Sequence, residues 1–217
     1  MITISQIVEE IISKSPFLEE GIYQNIINYS SLARLIKPKV EEKLFKKIKE
    51  GAIVMSLRRI VKKSASYLSL KKIFNKSPDM IVRSNLIEFT IINSGTLLAK
   101  HRNLLEKISK ENKYFFTITQ GVFETGIIVS QELGPKIEII FEEEKIIEKL
   151  LNLSSITVKL PEENVTTPGV YYFILKALAW NGINIVEVVS TYHEITLILE
   201  TKEIDRAFSV LKSSMTI

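Results

Sequence analysis

The stretch from Thr167-Pro168-Gly169-Val170 to Gly182-Ile183-Asn184-Ile185 constrains the fold more than any other part of the chain. Upstream, Ser155-Ile156-Thr157-Val158-Lys159-Leu160 alternates apolar and polar residues, the period of a half-buried strand. Pro168 presets the backbone for a helix's first turn, and Gly169 permits a close approach there. Val170, Ile174, Ala177 and Leu178 then recur at helical spacing as one apolar stripe. Asn181-Gly182 stops that helix, because glycine tolerates the left-handed conformation on which helices end. Residues 183–191 read as a strand rich in Ile and Val, and Ile195, Leu197 and Leu199 alternate along the returning strand. Ile204, Ala207, Phe208 and Leu211 make a second helical stripe. Such a strand-helix-strand-strand-helix series predicts helices on one face of a small antiparallel sheet, the ferredoxin-like arrangement.

In these motifs, residues 155–211 resemble an ACT domain, specifically the regulatory ACT units at the C-terminus of aspartokinases. The matching residues are Thr167-Pro168-Gly169-Val170, Gly182-Ile183-Asn184-Ile185, Ile195-Thr196-Leu197-Ile198-Leu199 and the terminal helix around Asp205-Arg206-Ala207. Residues 86–152 repeat the order more weakly. Leu86 to Ile92 reads as β, and Leu97, His101, Leu104, Leu105 and Ile108 mark a helix. Tyr114 to Thr119 and Gly126 to Ser130 follow as strands. Lys136 to Phe141 reads as a further β run before a helix around Ile146, Ile147 and Leu150. Here Asn93-Ser94-Gly95-Thr96 stands where the Pro-Gly corner would be.

The resemblance implies that small effectors bind where the first strand-to-helix loop and the start of the second strand face a partner domain. A helix N-terminus suits a carboxylate, since its free N–H groups and dipole point at the anion. Carried over, this implicates Thr167, Gly169 and Val170 at the helix start, Asn184 and Ile185 on the strand, and Asn164 for an amino group. The plainer alternative is that Pro168-Gly169 only shapes a turn. The resemblance also implies a homodimer associating through ACT units. It implies no kinase activity, because neither the kinase domain's length nor its Lys-and-Gly-rich opening motif is present in these 217 residues.

Residues 1–76 read as short helices compatible with a helix-turn-helix module. Stripes at Ile4, Ile7, Val8, Ile11 and Ile12 and at Leu18, Ile22 and Ile26 flank Ser15-Pro16. Ser30 or Ser31 is the expected cap of a short helix with Leu32, Leu35 and Ile36, and Pro38 the expected start of the next. Gly51 is expected to punctuate before a helix bearing Ile53, Leu57, Ile60 and Val61. The formal net charge is +4, yet residues 31–76 hold 14 Lys or Arg against Glu41, Glu42 and Glu50. Arg58 with Lys62, and Arg59 with Lys63, share a polar helix face that could contact DNA phosphates. The alternatives are a solvated helix surface or a face docking an acidic protein partner.

Asn75-Lys76-Ser77-Pro78-Asp79 reads as a linker, with Met80 to Arg83 open between a wing of the first domain and an edge strand of the next. The expected organisation is α+β: a helical, helix-turn-helix-like domain over 1–76, a degenerate ACT-like unit over 77–152 and an ACT unit over 153–217. The two histidines, His101 and His193, fall in different units, and no catalytic constellation, metal site or cofactor is expected. Without cysteine, and with Glu9 and Glu10 breaking the first apolar stretch, a cytoplasmic setting is expected.

Overall fold

The computed structural model describes residues 2–60, 74, 78–108 and 114–215. The chain divides into two compact units, Met1–Lys72 and Ile73–Ile217.

The first unit is helical. Its described helices are α1 (Ile4–Ser13), α2 (Pro16–Tyr23), α3 (Tyr29–Leu44) and α4 (Glu50–Ile60). Thr3 and Gln6 form a reciprocal capping box that starts α1. Ile7, Val8, Ile12, Ile22, Leu32, Ala33, Ile36, Val40, Ile53 and Leu57 interleave as a single core. Three expectations are corrected here. Asn28, not Ser30 or Ser31, caps α3, its Oδ1 accepting from both serine backbone N–H groups at 3.0 and 3.1 Å. Pro38 lies inside α3 instead of opening a helix. Both Pro38 and Arg34, whose carbonyl loses its partner, are exposed, so water can take the missing bond. Gly51 belongs to the first turn of α4.

The second unit contains β1 (Met80–Ile92), α5 (Leu97–Ile108), β2 (Phe116–Gln120), β3 (Glu124–Ser130), α6 (Gly134–Ile140), β4 (Ile146–Lys159), α7 (Val170–Trp180), β5 (Glu187–Ser190), β6 (Glu194–Glu200) and α8 (Ile204–Met215). One antiparallel sheet runs β2-β3-β1-β4-β6-β5. Its helical face buries Ile87, Phe89, Ile91, Ile127 and Val129 against Leu97, Leu104, Ile137 and Phe141. Ile156, Val158, Ile195, Leu197 and Leu199 are likewise buried in the second half, as are Val170, Ile174 and Leu178 of α7 and Ala207 and Leu211 of α8.

The order of elements after β3 differs from the sequence expectation. Residues 136–140 are helical with Phe141 as the C-cap, and the run from Ile146 is strand. Leu133, Ile137, Ile140 and Phe141 sit four, three and one residues apart, which puts them on one helix face over the sheet. The Ile-Val-rich segment 183–191 is strand only over Glu187–Ser190, because Ile183 to Val186 first carry the chain around from α7.

β1 and β4 are long and pair along most of their length, from Met80 opposite Val158 to Ile91 opposite Ile146. Each is interrupted once by a left-handed asparagine, Asn85 (φ 58°) and Asn152 (φ 57°), a conformation asparagine adopts more readily than other side chains. Each is followed by a leucine, and Leu86 lies opposite Leu153 at the centre of the sheet. The register slips on β1 just before Leu86 and on β4 just before Leu153. The two long strands are thus related by an approximate two-fold axis between the leucines.

This arrangement answers where Met80 to Arg83 belong. They pair with Val158 to Ser155 and so form the fourth strand of the second half, which among the described residues has no strand after β6. In turn, Ile146 to Leu150 of β4 form the fourth strand of the first half. The first half is therefore continuous from Leu86 to Leu150, whereas the second takes one strand from the segment that precedes the first. They also share a second core on the face away from the helices, where Leu86, Ile128, Leu153 and Ile198 meet Phe115, Leu150, Val186 and Val189.

Candidate effector corners and an acidic cleft

The N-termini of α5 and α7 are the corresponding corners of the two halves, and they differ. At α5, Glu144 occupies the corner from within the chain. Its carboxylate accepts from Ser94 Oγ at 2.7 Å and Thr96 Oγ1 at 2.6 Å, and Lys100 Nζ lies 3.3 Å away. The Glu144 side chain is only 4% exposed. The Thr96 and Ser94 hydroxyls, followed by Lys100, hold its carboxyl below the ordinary carboxylate range. Asn93 closes the same loop, donating from Nδ2 to the Gly121 carbonyl at 2.8 Å and accepting from Thr125 Oγ1 at 2.7 Å.

At α7, Gly169 is the N-cap, with φ 94°, a value that disfavours any residue with a Cβ. No side chain caps this helix. Pro168 precedes the cap, so it lies outside the first turn where the sequence reading put it. Thr167 is half-buried and Val170 buried. Asn164 is buried in a short 3-10 turn, and its Nδ2 donates to the Tyr192 carbonyl at 2.8 Å. That amide ties the corner to the β5–β6 hairpin, whose His193 carbonyl accepts from Leu160 N–H at 2.7 Å.

Asn184 and Ile185 lie elsewhere. They line a surface cleft with Leu150 to Leu153 and Glu200 to Lys202. The corner adjoins the Lys159–Glu194 end of the β4–β6 pair, whereas this cleft adjoins its Leu153–Glu200 end. Six residue steps separate those ends, about 20 Å at strand rise. Within one chain, Asn164, Thr167, Gly169 and Val170 are gathered together, and Asn184 with Ile185 form a separate group.

Arg58 and Arg59 are exposed on α4 and form no ion pair among the described residues. Lys62 and Lys63 lie outside the described residues. Other basic residues of the segment are partly matched by acids: Lys43 pairs with Glu10 at 2.7 Å and Lys37 with Glu41 at 3.8 Å. His101 is buried beside Phe141, with ring centroids 5.7 Å apart, and burial lowers its pKa. His193 is exposed at the hairpin tip. No helix among the described residues is long and apolar enough to cross a membrane.

Sequence reasoning passed over one further constellation. Glu88 of β1 and Glu187 of β5 line a common cleft, although they come from opposite halves of the sheet. Glu187 reaches across so far that a Cβ on Gly126 would stand 3.4 Å from its Oε2. Burial, and then the neighbouring Glu187 carboxylate, push the Glu88 carboxyl up to about 7. Burial raises Glu187 as well, against hydrogen bonding from the Glu88 carboxyl and then from Thr119. A carboxyl raised on folding binds its proton better in the folded chain, so this pair favours the fold at low pH. That contribution is lost as pH rises from the ordinary 4.5 through about 7. Glu88→Gln is therefore expected to raise the melting temperature at pH 8 and leave it nearly unchanged at pH 5. With partial solvent screening the gain is about 1–2 kcal/mol. Thermal denaturation at both pH values checks this, and an equal shift at both would contradict it.

No protein-family model matches the chain, and no curated protein matches it. Solved structures do match in fold. The aspartate kinase of Clostridium acetobutylicum, described as an allosteric enzyme, superposes with a TM-score of 0.52 at 17% identity, over 63% of this chain and 34% of that one. The aspartate kinase of Synechocystis gives 0.54 at 14% identity, over 65% and 27%. The ligand-free regulatory subunit of the Thermus thermophilus aspartate kinase gives 0.52 at 15% identity, over 64% of this chain and 99% of that one. The chain thus spans about a third of the length of the whole kinases it matches, but nearly all of a regulatory subunit. Its C-terminal unit has the fold of the ACT-containing regulatory region of aspartate kinases.

Proposed function

We propose that this chain is a non-catalytic regulator in which an amino acid, bound at the ACT pair, controls the basic helical unit. The observation that carries the reading is the contrast between the two corners. Glu144 already supplies a carboxylate to the α5 corner, whereas the α7 corner offers a helix N-terminus that no side chain caps. An effector carboxylate at α7 would take the place that Glu144 holds at α5, bound by backbone N–H groups and the helix dipole. Likeness of the C-terminal unit to a regulatory subunit of an aspartate kinase supports a regulatory role.

The two groups of implicated residues lie at opposite ends of one β4–β6 pair, so a complete site needs a second copy of the chain. Thr167, Gly169 and Val170 of one copy would hold the carboxylate, and Asn184 and Ile185 of the other would close over the ligand. A homodimer through the ACT units follows from this reading. Effector binding then stabilises one pairing geometry and shifts an existing equilibrium.

The experiment is a thermal-shift screen of the twenty amino acids, followed by calorimetric titration of any that stabilise the chain. A ligand present at about 100 times its dissociation constant raises stability by about 2.7 kcal/mol. Gly169→Val is expected to abolish the response, because a β-branched side chain cannot adopt φ 94° at the cap without strain. Failure of all twenty amino acids to shift the melting transition would overturn the reading.

For the output, the exposed Arg58 and Arg59 favour double-stranded DNA. Binding is then expected to weaken steeply with salt and further with Arg58→Ala combined with Arg59→Ala. Capture of an amino-acid biosynthetic enzyme, with no DNA retained at low salt, would instead support regulation in trans through an acidic partner.

A further inference from the structure

We infer that the turn between α3 and α4 is a contact surface for double-stranded DNA, on which Phe45 enters the minor groove as a wedge and Lys46, Lys47 and Lys49 meet phosphates. This rests on the DNA reading of the output given above and names the element that carries it. Phe45 is 94% exposed, more than any other large hydrophobic residue described. It is the C-cap of α3 and stands at φ 53°, in the left-handed region that glycine or asparagine fills at lower cost than a bulky ring. A strained residue that displays its ring to water adds nothing to the fold, and such strain gathers at functional positions.

The turn is held from both sides. Phe45 N–H donates to the Glu42 carbonyl at 3.3 Å, and Ile48 N–H donates to Glu41 Oε1 at 2.9 Å. Leu44 and Ile48 pack against the core of the helical unit. The outward place of Phe45 is therefore set by its neighbours. Lys46, Lys47 and Lys49 are exposed and form no ion pair among the described residues, whereas Lys43 and Lys37 are matched by Glu10 and Glu41. Between Phe45 and Arg59 the only acid is Glu50, in the first turn of α4, where it suits the helix dipole.

The kind of partner follows from this arrangement. Unpaired ammonium groups side by side repel one another, and a row of phosphates removes that cost. Arg58 and Arg59 continue the charge about 14 Å along α4 from Lys49, a track that fits within one turn of a duplex. A single strand asks for several aromatic rings in succession, and this turn presents one. One ring beside lysines matches the apolar wedges that part a base step from the minor groove while basic side chains hold the backbone. Pyrimidine–purine steps such as TA part most easily, so the wedge is expected there.

The test is titration of the full chain, by fluorescence anisotropy across a salt series, into a short duplex with 2-aminopurine beside a central TA step. Binding is expected together with a rise in 2-aminopurine emission, the sign of unstacking. Phe45→Gly keeps the fold, because φ 53° suits glycine, and should melt no lower than wild type. It should nevertheless bind about tenfold more weakly and lose the emission rise. Lys46→Ala with Lys47→Ala should lower the slope of log affinity against log salt by about 2, or about 1 per lost phosphate contact, and keep the emission rise. Wild type that binds no duplex at low salt overturns the DNA reading and this assignment together. Duplex binding that both variants retain unchanged overturns the assignment alone, and so does tighter binding to the single strand. Retention on phosphatidylserine vesicles in place of the duplex would give the surface to membranes and overturn it as well.

Discussion

Replacing Glu144 with alanine is expected to destabilise the C-terminal unit by about 2–4 kcal/mol, the cost of losing charge-assisted hydrogen bonds in a nearly buried site. Ser94 Oγ and Thr96 Oγ1 both donate to this carboxylate, and Lys100 neutralises it. Removing the acceptor leaves the two hydroxyls only each other, 3.0 Å apart, and leaves Lys100 only Glu143, at 3.3 Å. Glu144→Gln keeps the shape and one acceptor, so about half the loss is expected. The pH dependence has a definite sign. Folding lowers the Glu144 pKa, so its stabilisation is present above the ordinary carboxylate range and disappears as pH falls through the lowered value. Wild type and variant should therefore differ most at neutral pH and converge in acid. Urea denaturation at pH 7 and pH 3 provides the measurement, and identical midpoints at pH 7 would contradict the assignment. Acetate added to Glu144→Ala should recover part of the stability, since the corner then resembles the uncapped one at α7.

This contrast between corners bears on function because it separates two sites that the fold makes alike. An internal carboxylate held at 2.6 and 2.7 Å leaves no place for an effector at α5. The α7 corner has Gly169 at the same structural position and no side-chain cap. Shared strands tie the corners together: β1 contributes to both halves, and so does β4. A change at one corner has a continuous, hydrogen-bonded route to the other half through these strands.

The sequence shows α7 and its flanking turns clearly because their signals are local. Gly169 and Gly182 both adopt positive φ, and the apolar stripe between them has one period. The strand pair β4–β6 is legible for a similar reason, from alternation at Ile156 and Val158 and at Ile195, Leu197 and Leu199. The identities of α6 and the start of β4 were reversed in the sequence reading. Seven helical residues containing Ile137, Ile139 and Ile140 present an apolar run as short as a strand. Ile146-Ile147 and Leu150-Leu151 resemble helical pairs, but this part of β4 has Ile147 and Leu151 exposed and changes register at Asn152.

The strand taken by the second half leaves no local trace, since it depends on pairing between residues more than seventy positions apart, such as Met80 and Val158. Its one written clue is the repeated Asn-Leu at 85–86 and 152–153, which marks equivalent kinks. The acidic cleft was invisible for the same reason: Glu88 and Glu187 sit on separate strands of opposite halves. The uncapped corner was legible through its glycine, whereas its separation from Asn184 and Ile185 required the strand register.

The strand that the second half takes from Met80 to Arg83 also dictates how the unit must fold. Residues 153–217 contain β-strand, helix, hairpin and helix, but leave β4 without the partner that Met80 to Arg83 supply. They also lose Leu86 and Ile128, which share a core with Leu153 and Ile198. A piece of this size is marginal even with its core intact, because a chain near 60 residues buries only about 60% of its surface. Without a central strand's neighbour and half of a shared core, the fragment should have no cooperative transition. Residues 78–217 should unfold in one step, since the second half takes Met80 to Arg83 from outside itself and the two halves share a core.

Thermal unfolding of the two fragments, 153–217 and 78–217, followed by circular dichroism, tests the interlocked pair most directly. A single sharp transition for 78–217 and none for 153–217 is the expected result. A cooperative transition in 153–217 alone would show that the second half stands by itself and would contradict the strand sharing on which the two-corner account rests.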